Sequence, residues 1–288
     1  MNATFSSANQ VSNSYQLVDF IGKVFIIAYK EPTQQLEEVL TKEGFHCEVL
    51  RQEEKAEYQN FSRSYLCLMN HRRAWEKAIQ ETKPTLIVEA DFVPVVGFGK
   101  LPLPFNFERN DVGISWLYTC ASQLYSVSDD GYAEGFSVST VAYIVTPQSA
   151  QCLIDLADEI RDKSGTNTYS SWDSTIDTFL RARKFKNYIP FRNYGEHGGL
   201  PNLEHYKNGL SKTHRSDVLY GKLAFVPLYA SVEGGVKIKL LSARMQARLK
   251  GIARLVTVKF LRIPVIKGSS VPGRLIGFAI RRQLSLHL

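Results

Sequence analysis

Two acidic residues near the middle of the first half of the chain, Glu89 and Asp91, are the strongest candidates for chemistry. They follow the apolar run 85–88, which Pro84 precedes, and a short β-branched run of this kind predicts a buried strand. Residues i and i+2 of an extended chain point to the same side, so the two carboxylates are expected to project together. A divalent cation would remove their repulsion and bridge to phosphate oxygens. This stretch alone leaves an alternative equally open, a strand that ends in solvated acids.

The elements that precede this pair indicate an α/β sheet. A strand predicted at 23–29, a helix at 35–43 that Gly44 ends, and a strand at 45–50 form a β-α-β unit, which is typical of parallel sheets. A charged stretch at 51–63 leads to a helix at 64–82, and the strand at 85–91 follows. In α/β sheets ligands bind beyond the carboxyl ends of the strands, which is where the acid pair is expected.

The later part of the chain supplies further candidates. We predict strands at 112–118 and 137–145, helices at 147–160 and 170–183, and irregular segments at 95–110 and 129–135. The last of these helices contains Asp173 and Asp177, four residues apart. Residues 193–219 are too polar and Gly-rich for a core element, and long segments of this kind are usually functional loops. This loop contains His197, His214 and Arg215.

Length and composition favour a globular protein in a reducing compartment. The 288 residues suffice for one large domain, or for one domain with an appendage. The cysteines form no C-x-x-C pair, and their wide spacing argues against a zinc site and a disulfide framework. They are Cys47, Cys67, Cys120 and Cys152. The first 16 residues contain no Lys or Arg, so we expect no secretory signal, and no apolar run approaches the roughly 20 residues that span a bilayer.

The net charge of +7 is distributed unevenly along the chain. No acidic residue follows Glu233, and twelve of the 35 Lys and Arg residues do, so the preceding chain has 23 of them against 28 Asp and Glu. A basic amphipathic segment at 234–288 favours an anionic membrane surface, although the same charge could bind nucleic acid. Because no nucleic-acid motif is present, we expect no nucleic-acid partner. A protein partner and a solvated tail stay open as alternatives.

Two of these stretches resemble motifs of glycosyltransferase family 25, the lipopolysaccharide and collagen sugar transferases. That family has a Cys-x-x-Ser-His-x-x-x-Trp helix and then a strand ending in Glu-Asp-Asp. Here residues 67–75 are CLMNHRRAW and residues 86–91 are LIVEAD. Residues 27–29 resemble the family's opening strand, residues 139–153 its Thr-x-x-Tyr strand and the following helix, and residues 172–173 a later Asp at a helix start.

The resemblance covers about residues 20–190 and has departures. Asn70 replaces the motif's Ser, and Ala90 replaces its middle acid. The Arg-rich segment that follows the family's first strand is here 30–33, KEPT, so the family's way of holding the donor base is not carried over. The Glu89-x-Asp91 spacing is retained, and this spacing is what a metal site requires.

The resemblance implies a GT-A-like, Rossmann-type, mostly parallel sheet flanked by helices. We expect it to occupy residues 17–233, between a flexible N-terminus at 1–16 and a basic C-terminal appendage at 234–288 that the body does not need in order to fold. It further implies a nucleotide-sugar donor, a UDP-hexose used with inversion, and Mn²⁺ or Mg²⁺ held by Asp91 with Glu89 beside it. His197 is the candidate third ligand.

The remaining candidates have roles at the donor and the acceptor. Asp173 is the proposed base for the acceptor hydroxyl and Asp177 the second choice, although an acid there is also favoured by the helix dipole. His71 is either a donor contact or a packed histidine that supports the acidic strand. For the loop residues His197 and His214, the alternative is that they are surface histidines without a role in the site. Donor contacts are predicted for Ala28, Tyr29, His71, His214 and Arg215.

Three functions follow from these residues. The first is a metal-dependent glycosyltransferase at the cytoplasmic face of the membrane, acting on a glycan or a lipid-linked saccharide. The second is a metal-dependent nucleotidyl or phosphoryl transferase, against which stands the absence of a G-x-x-x-x-G-K-[ST] loop in the sequence. The third is a non-catalytic carbohydrate-binding or nucleotide-binding module.

Overall fold

The computed structural model describes residues 15–200, 214–231 and 235–285. Its strands are β1 (Lys23–Ala28), β2 (Cys47–Arg51), β3 (Thr85–Glu89), β4 (Phe92–Pro94), β5 (Val112–Trp116), β6 (Gln123–Val127), β7 (Ala133–Phe136), β8 (Ala142–Val145), β9 (Lys186–Ile189) and β10 (Gly195–His197). Its α-helices are α1 (Leu17–Phe20), α2 (Gln34–Lys42), α3 (Arg63–Ala78), α4 (Pro147–Ser164), α5 (Ile176–Ala182), α6 (Leu228–Ser231), α7 (Val236–Val256), α8 (Ile263–Gly268) and α9 (Pro272–Leu284). Short 3₁₀ helices cover Ala56–Asn60, Phe98–Lys100 and Trp172–Thr175.

Eight strands form one sheet in the order β2-β1-β3-β8-β5-β9-β7-β6. The pairs β1–β2, β1–β3 and β5–β9 are parallel, whereas β8 and β7 run opposite to both of their neighbours. Six of the eight strands therefore point in one direction. The predicted fold class, a mostly parallel sheet flanked by helices, is confirmed and is consistent with a GT-A-like arrangement.

Alternating side chains of β1 and β3 build the two faces of the core, as the two-residue period of a strand requires. On one face Phe25 and Ile27 join Trp75 of α3 and Leu153 of α4 in a single apolar cluster. On the other face neighbouring residues of the same strands pack against α2. Gly44, at φ +94°, follows α2 and ends it, as the sequence predicted.

Several predicted boundaries differ from the structure. The strand predicted at 85–91 ends at Glu89, because the chain turns at Ala90 and Asp91 into β4; the Ala90 N–H still donates to the Ile27 carbonyl of β1. The helix predicted at 170–183 is a 3₁₀ turn followed by α5. The sequence analysis missed β6 and β9, and β7 lies partly in the segment predicted as a turn. These short strands are fixed by their neighbours in the sheet more than by their own periodicity.

The described part of the basic segment packs against the sheet. Phe260, Leu261, Leu275 and Phe278 belong to the same apolar cluster as the first face of the sheet, and the Leu124 N–H donates to the Phe260 carbonyl at 2.8 Å. The expectation that the body folds without this segment stays a prediction, and the side chains that the segment contributes to the shared core argue against it. None of the helices that the structure describes combines the length and apolarity needed to cross a membrane.

Candidate active site

The candidate site lies at the carboxyl ends of β1 and β3, which are neighbours in the sheet. Ala28 ends β1 and Glu89 ends β3, and both border a cavity of about 550 Å³. Tyr29, 44% exposed, and Asp91 border the same cavity. Sheet pairing therefore brings together two predicted donor contacts and the predicted acid pair.

Asp91 occupies the turn between β3 and β4 and contacts His197. Its Oδ2 lies 2.9 Å from His197 Nε2. The antiparallel pairing of β4 with β10, in which His197 is opposite Phe92, holds the two side chains together. The other carboxylate oxygen, Asp91 Oδ1, is buried and has no hydrogen-bond partner among the described residues. A buried acceptor without a donor is costly, so this oxygen fits a bound cation.

The backbone at Gly199 approaches this pair closely. A Cβ added to Gly199 would overlap with Asp91 Oδ2 and lie 3.1 Å from His197 Nε2. A side chain at position 199 would therefore fill the space beside the two candidate ligands, and glycine permits this close approach of the backbone. Gly199 was part of the Gly-rich run noted in the sequence, but its own role becomes visible only from the folded chain.

The electrostatics of His197 favour its protonated form when no cation is bound. Burial tends to lower its pKa, but the negative charges of Asp91 and Glu89 outweigh that effect and raise the pKa above its ordinary value. A metal ligand must be the neutral imidazole. Binding of a divalent cation at Asp91 and His197 would therefore release a proton.

Glu89 contacts other residues than Asp91 does. Its Oε1 accepts a hydrogen bond from Thr140 Oγ1 at 2.9 Å and lies 3.4 Å from His71 Nε2. Burial tends to raise the pKa of Glu89, but the hydrogen bond and charge of His71 outweigh burial and lower it. Glu89 is therefore ionised at neutral pH. Thr140 lies in the stretch 139–153 whose Thr-x-x-Tyr pattern contributed to the family resemblance, but its contact with Glu89 was not predicted.

His71 lies behind the acidic strand. Its side chain is fully buried, and Nδ1 lies 2.8 Å from the Tyr143 hydroxyl, which also accepts a hydrogen bond from Trp75 Nε1. His71 does not border the cavity of about 550 Å³. Its contacts match the alternative of a packed histidine that supports Glu89, rather than a donor contact.

The three predicted metal ligands are not assembled as one group. In the described ranges, the one set of three possible ligands whose atoms all lie within 4.8 Å of one another is Cys67, His71 and Glu89. Glu89, Asp91 and His197 are not this close to one another, because β3 ends at Glu89 and the turn at Ala90 removes the extended geometry that would align Glu89 with Asp91. Burial and nearby carboxylates raise the pKa of the Cys67 thiol well above its ordinary value, so it is a poor ligand at neutral pH.

Asp173 lies in the 3₁₀ turn next to this site. The preceding Trp172 donates from Nε1 to the Ser64 carbonyl at 3.0 Å, and its ring lies 5.2 Å from that of His71. Asp173 Oδ1 accepts from the Ser174 N–H. Burial, with a smaller contribution from the charge of Glu89, raises the pKa of Asp173 to about 6. A carboxylate with such a pKa is suited to accept a proton near neutral pH.

Asp177, the second choice for the base, has structural partners. Its two carboxylate oxygens accept hydrogen bonds from Asn187 Nδ2 at 2.8 Å and from the Tyr125 hydroxyl at 3.0 Å. These contacts connect α5 to β9 and β6. Burial raises the pKa of Asp177, while its hydrogen bonds to Asn187 and Tyr125 act in the opposite direction. Asp173 therefore remains the candidate base.

His214 and Arg215 support the loop that carries His197. The Arg215 guanidinium donates to the carbonyls of His197 at 2.8 Å and of Gly199 at 2.9 Å, and it lies 3.8 Å from the centre of the Tyr229 ring. His214 Nδ1 lies 2.9 Å from Cys120 Sγ. These two predicted donor contacts thus border a second cavity and not the cavity that Glu89 and Asp91 border.

An ion pair connects the basic segment to the same loop. Glu196 of β10 is fully buried and pairs with Arg244 of α7, and its Oε1 accepts from the Ser216 N–H at 2.9 Å. Because Glu196 precedes His197 in β10, helix α7 helps to hold the site. Sequence analysis missed this pair, since the two residues are far apart in the chain.

Comparisons with known proteins provide little further information. No protein-family model matches the chain, and no curated protein matches it. A similar solved structure is that of a glycosyltransferase involved in the glycosylation of the major capsid of PBCV-1, with a TM-score of 0.40 and 11% identity. The match covers 59% of this chain and 82% of that chain. A TM-score this low does not establish a shared family, so the functional argument depends on the site itself.

Proposed function

We propose that the chain is a glycosyltransferase that depends on Mn²⁺ or Mg²⁺. Its donor is a UDP-hexose, and it transfers the hexose to a glycan or a lipid-linked saccharide. The observation that carries this proposal is the unpartnered, buried Oδ1 of Asp91 beside His197, at the carboxyl ends of the parallel strands. A divalent cation held there by Asp91 and His197, with Glu89 nearby, would stabilise the charge of a diphosphate leaving group.

The remaining residues of the site fit the other half of the reaction. Asp173 would accept the proton of the acceptor hydroxyl, since a pKa of about 6 leaves it ionised at neutral pH. The cavity at the ends of β1 and β3 would hold the donor nucleotide, with the exposed ring of Tyr29 at its border. Arg215 would position His197 through the loop carbonyls.

The sequence motifs support membership of glycosyltransferase family 25 within this proposal. Residues of both motif stretches border the cavity of the candidate site: Cys67 and Asn70 of α3, and Glu89, Ala90 and Asp91 at the end of β3. The residue that replaces the middle acid, Ala90, lies at the turn after β3, where its N–H pairs with β1. A carboxylate at that position is therefore not needed for the contacts described above.

We propose that the basic segment, residues 234–288, binds the anionic cytoplasmic face of a membrane. Four exposed residues of α7 follow one another at spacings of three and four, so they share one face of the helix. This apolar stripe consists of Ile238, Leu241, Met245 and Leu249. Lysine and arginine side chains flank the stripe, and the segment contains no acid. Such a surface combines apolar burial with attraction to anionic lipids.

Sedimentation with anionic vesicles tests the membrane proposal. Salt should weaken binding of the full chain without abolishing it, because apolar burial is not screened. Leu241→Glu should weaken binding about tenfold or more, since it puts a charge in the stripe. If the full chain stays in the supernatant at low salt, the membrane proposal is wrong and a protein or nucleic-acid partner becomes the better account.

Calorimetry with UDP and Mn²⁺ tests the metal site. Asp91→Asn should abolish metal-dependent binding while the fold is retained, and Glu89→Gln should weaken it less. Asp155→Asn is the matched control, because it makes the same change at an exposed position of α4. Unchanged affinity in Asp91→Asn would refute the proposed site.

A panel of sugar nucleotides then separates the candidate functions. Transfer of a sugar from one of them is the expected result. UDP binding without turnover of any donor would favour the non-catalytic module, and transfer of a phosphoryl or nucleotidyl group would favour the other enzyme class.

A further inference from the structure

A second, larger cavity lies between the loop that joins β5 to β6 and helix α7 of the basic segment. Its volume is about 980 Å³, which matches the larger small-molecule sites. Residues 119–122 form one side, and α7 residues that include Lys250 and Arg254 form another. The cavity is therefore built jointly by the sheet domain and by the basic segment.

Charged groups around this cavity are mostly cationic. Five Lys and Arg side chains and one carboxylate, that of Asp217, border it among the residues that the structure describes. The cations are Arg215, Lys239, Lys250, Arg254 and Lys259. Arg282 donates to Asp217 Oδ1 at 3.0 Å, and Gln283 and Asn193 also donate to this carboxylate. Asp217 is thus already paired, and the described side chains that border the cavity carry an excess of positive charge.

The apolar part of the lining continues onto the protein surface. Ile238 borders the cavity and is 74% exposed, so it lies at the rim. It is also the first residue of the apolar stripe of α7. Alanine side chains of α7 and Leu200 complete much of the remaining lining. A ligand with an apolar chain could therefore extend from the cavity along the stripe.

The cavity adjoins the candidate active site. Arg215 borders it and donates to the carbonyls of His197 and Gly199. Cys120 forms part of the wall; burial raises the pKa of its thiol to about 12, and the charge of Asp173 acts in the same direction. The cavity and the candidate active site are therefore connected through Arg215.

We propose that this cavity binds the acceptor, and that the acceptor is an amphiphile in which a phosphate or diphosphate joins a saccharide to a long apolar chain. The cations would contact the phosphate oxygens, and the stripe would take the chain towards the membrane surface. The saccharide would then lie near Arg215, next to the loop that carries His197. A free saccharide would use neither the cations nor the stripe. That this ligand is the acceptor of a sugar rests on the proposed function. Binding of the ligand to the cavity requires neither donor nor metal.

Binding of farnesyl phosphate to the full chain, in EDTA and without donor, tests the site. Lys250→Glu changes a cation that borders the cavity, whereas Lys237→Glu makes the same change at an exposed position of the same helix outside it. We expect Lys250→Glu to weaken binding about tenfold or more and Lys237→Glu by less than about twofold. Farnesol and inorganic phosphate should each bind about tenfold or more weakly than farnesyl phosphate.

The contrary results are distinct. Equal weakening by Lys250→Glu and Lys237→Glu would mean general attraction to a basic surface and would overturn the site. If either farnesol or inorganic phosphate binds as tightly as farnesyl phosphate, the proposal that the ligand is an amphiphile is wrong. Thermal unfolding of each variant shows whether the fold is retained. Ser242→Trp, which fills the cavity from an exposed wall position, should displace the ligand without a charge change.

This inference and the proposed function fail in different ways. If farnesyl phosphate binds at Lys250 but no sugar nucleotide is consumed, the cavity stands and the transferase proposal falls. If a sugar is transferred to a soluble acceptor and farnesyl phosphate does not bind, the transferase stands and the amphiphile site falls.

Discussion

The negative charge of Asp173 should destabilise the fold, although the reaction requires it. Asp173→Asn should therefore increase stability at neutral pH and lower activity. Burial raises the pKa of this carboxyl from its ordinary value of 3.8 to about 6. Between these pH values the folded protein binds a proton that the unfolded chain has lost, so stability falls as pH rises through this window. A shift of this size corresponds to about 3 kcal/mol, lost in full above pH 6.

Asp173→Asn removes this titration. The free energy of unfolding of the variant, relative to the unmodified chain, should therefore increase by up to about 3 kcal/mol between pH 4 and pH 7.5. Urea unfolding followed by tryptophan fluorescence, in EDTA, measures the difference at each pH. Asp155→Asn, at an exposed position of α4, is the matched control for the substitution itself. A flat difference for Asp173→Asn would show that the carboxylate is not held in a desolvated site.

The same variant tests the chemistry. Loss of a general base should lower turnover about a hundredfold or more, with donor binding intact. In the unmodified chain, turnover should fall below about pH 6, because a protonated Asp173 cannot accept a proton. Full activity in Asp173→Asn would show that another residue is the general base. If Asp173→Asn is active and Asp177→Asn is inactive, Asp177 is the general base.

Three further predictions concern the scaffold. Gly199→Ala should weaken Mn²⁺ binding about tenfold or more, measured by calorimetry, while Gly221→Ala, where an added Cβ meets nothing, should have no effect. Arg244→Ala should lower the urea-unfolding free energy by about 3 kcal/mol because it leaves the buried Glu196 carboxylate unpaired, and adding Glu196→Gln should restore part of the loss. Phe278→Ala should cost about 3 kcal/mol or more in the same assay if the basic segment shares the core; a change under about 1 kcal/mol would instead support a separable appendage.

Local signals in the sequence were sufficient for the first half of the sheet. The β-branched run of β1, the apolar spacing of α2 and the glycine that ends α2 each depend on residues close together in the chain. Because such signals act within one or two turns or one strand, the β-α-β unit could be predicted from them. The strand with acids at its end was predicted for the same reason.

The arrangement of the site was decided by the tertiary structure. Asp91 contacts His197, 106 residues away, only because β4 pairs with β10, and Glu89 turns to Thr140 because β3 ends one residue before the bend at Ala90. No periodicity encodes such distances, since they depend on which strands pair. The basic segment shows the same limit: its charge pattern was evident in the sequence, whereas the pairing of Arg244 with Glu196 and its apolar contacts with the sheet exist only in the folded chain.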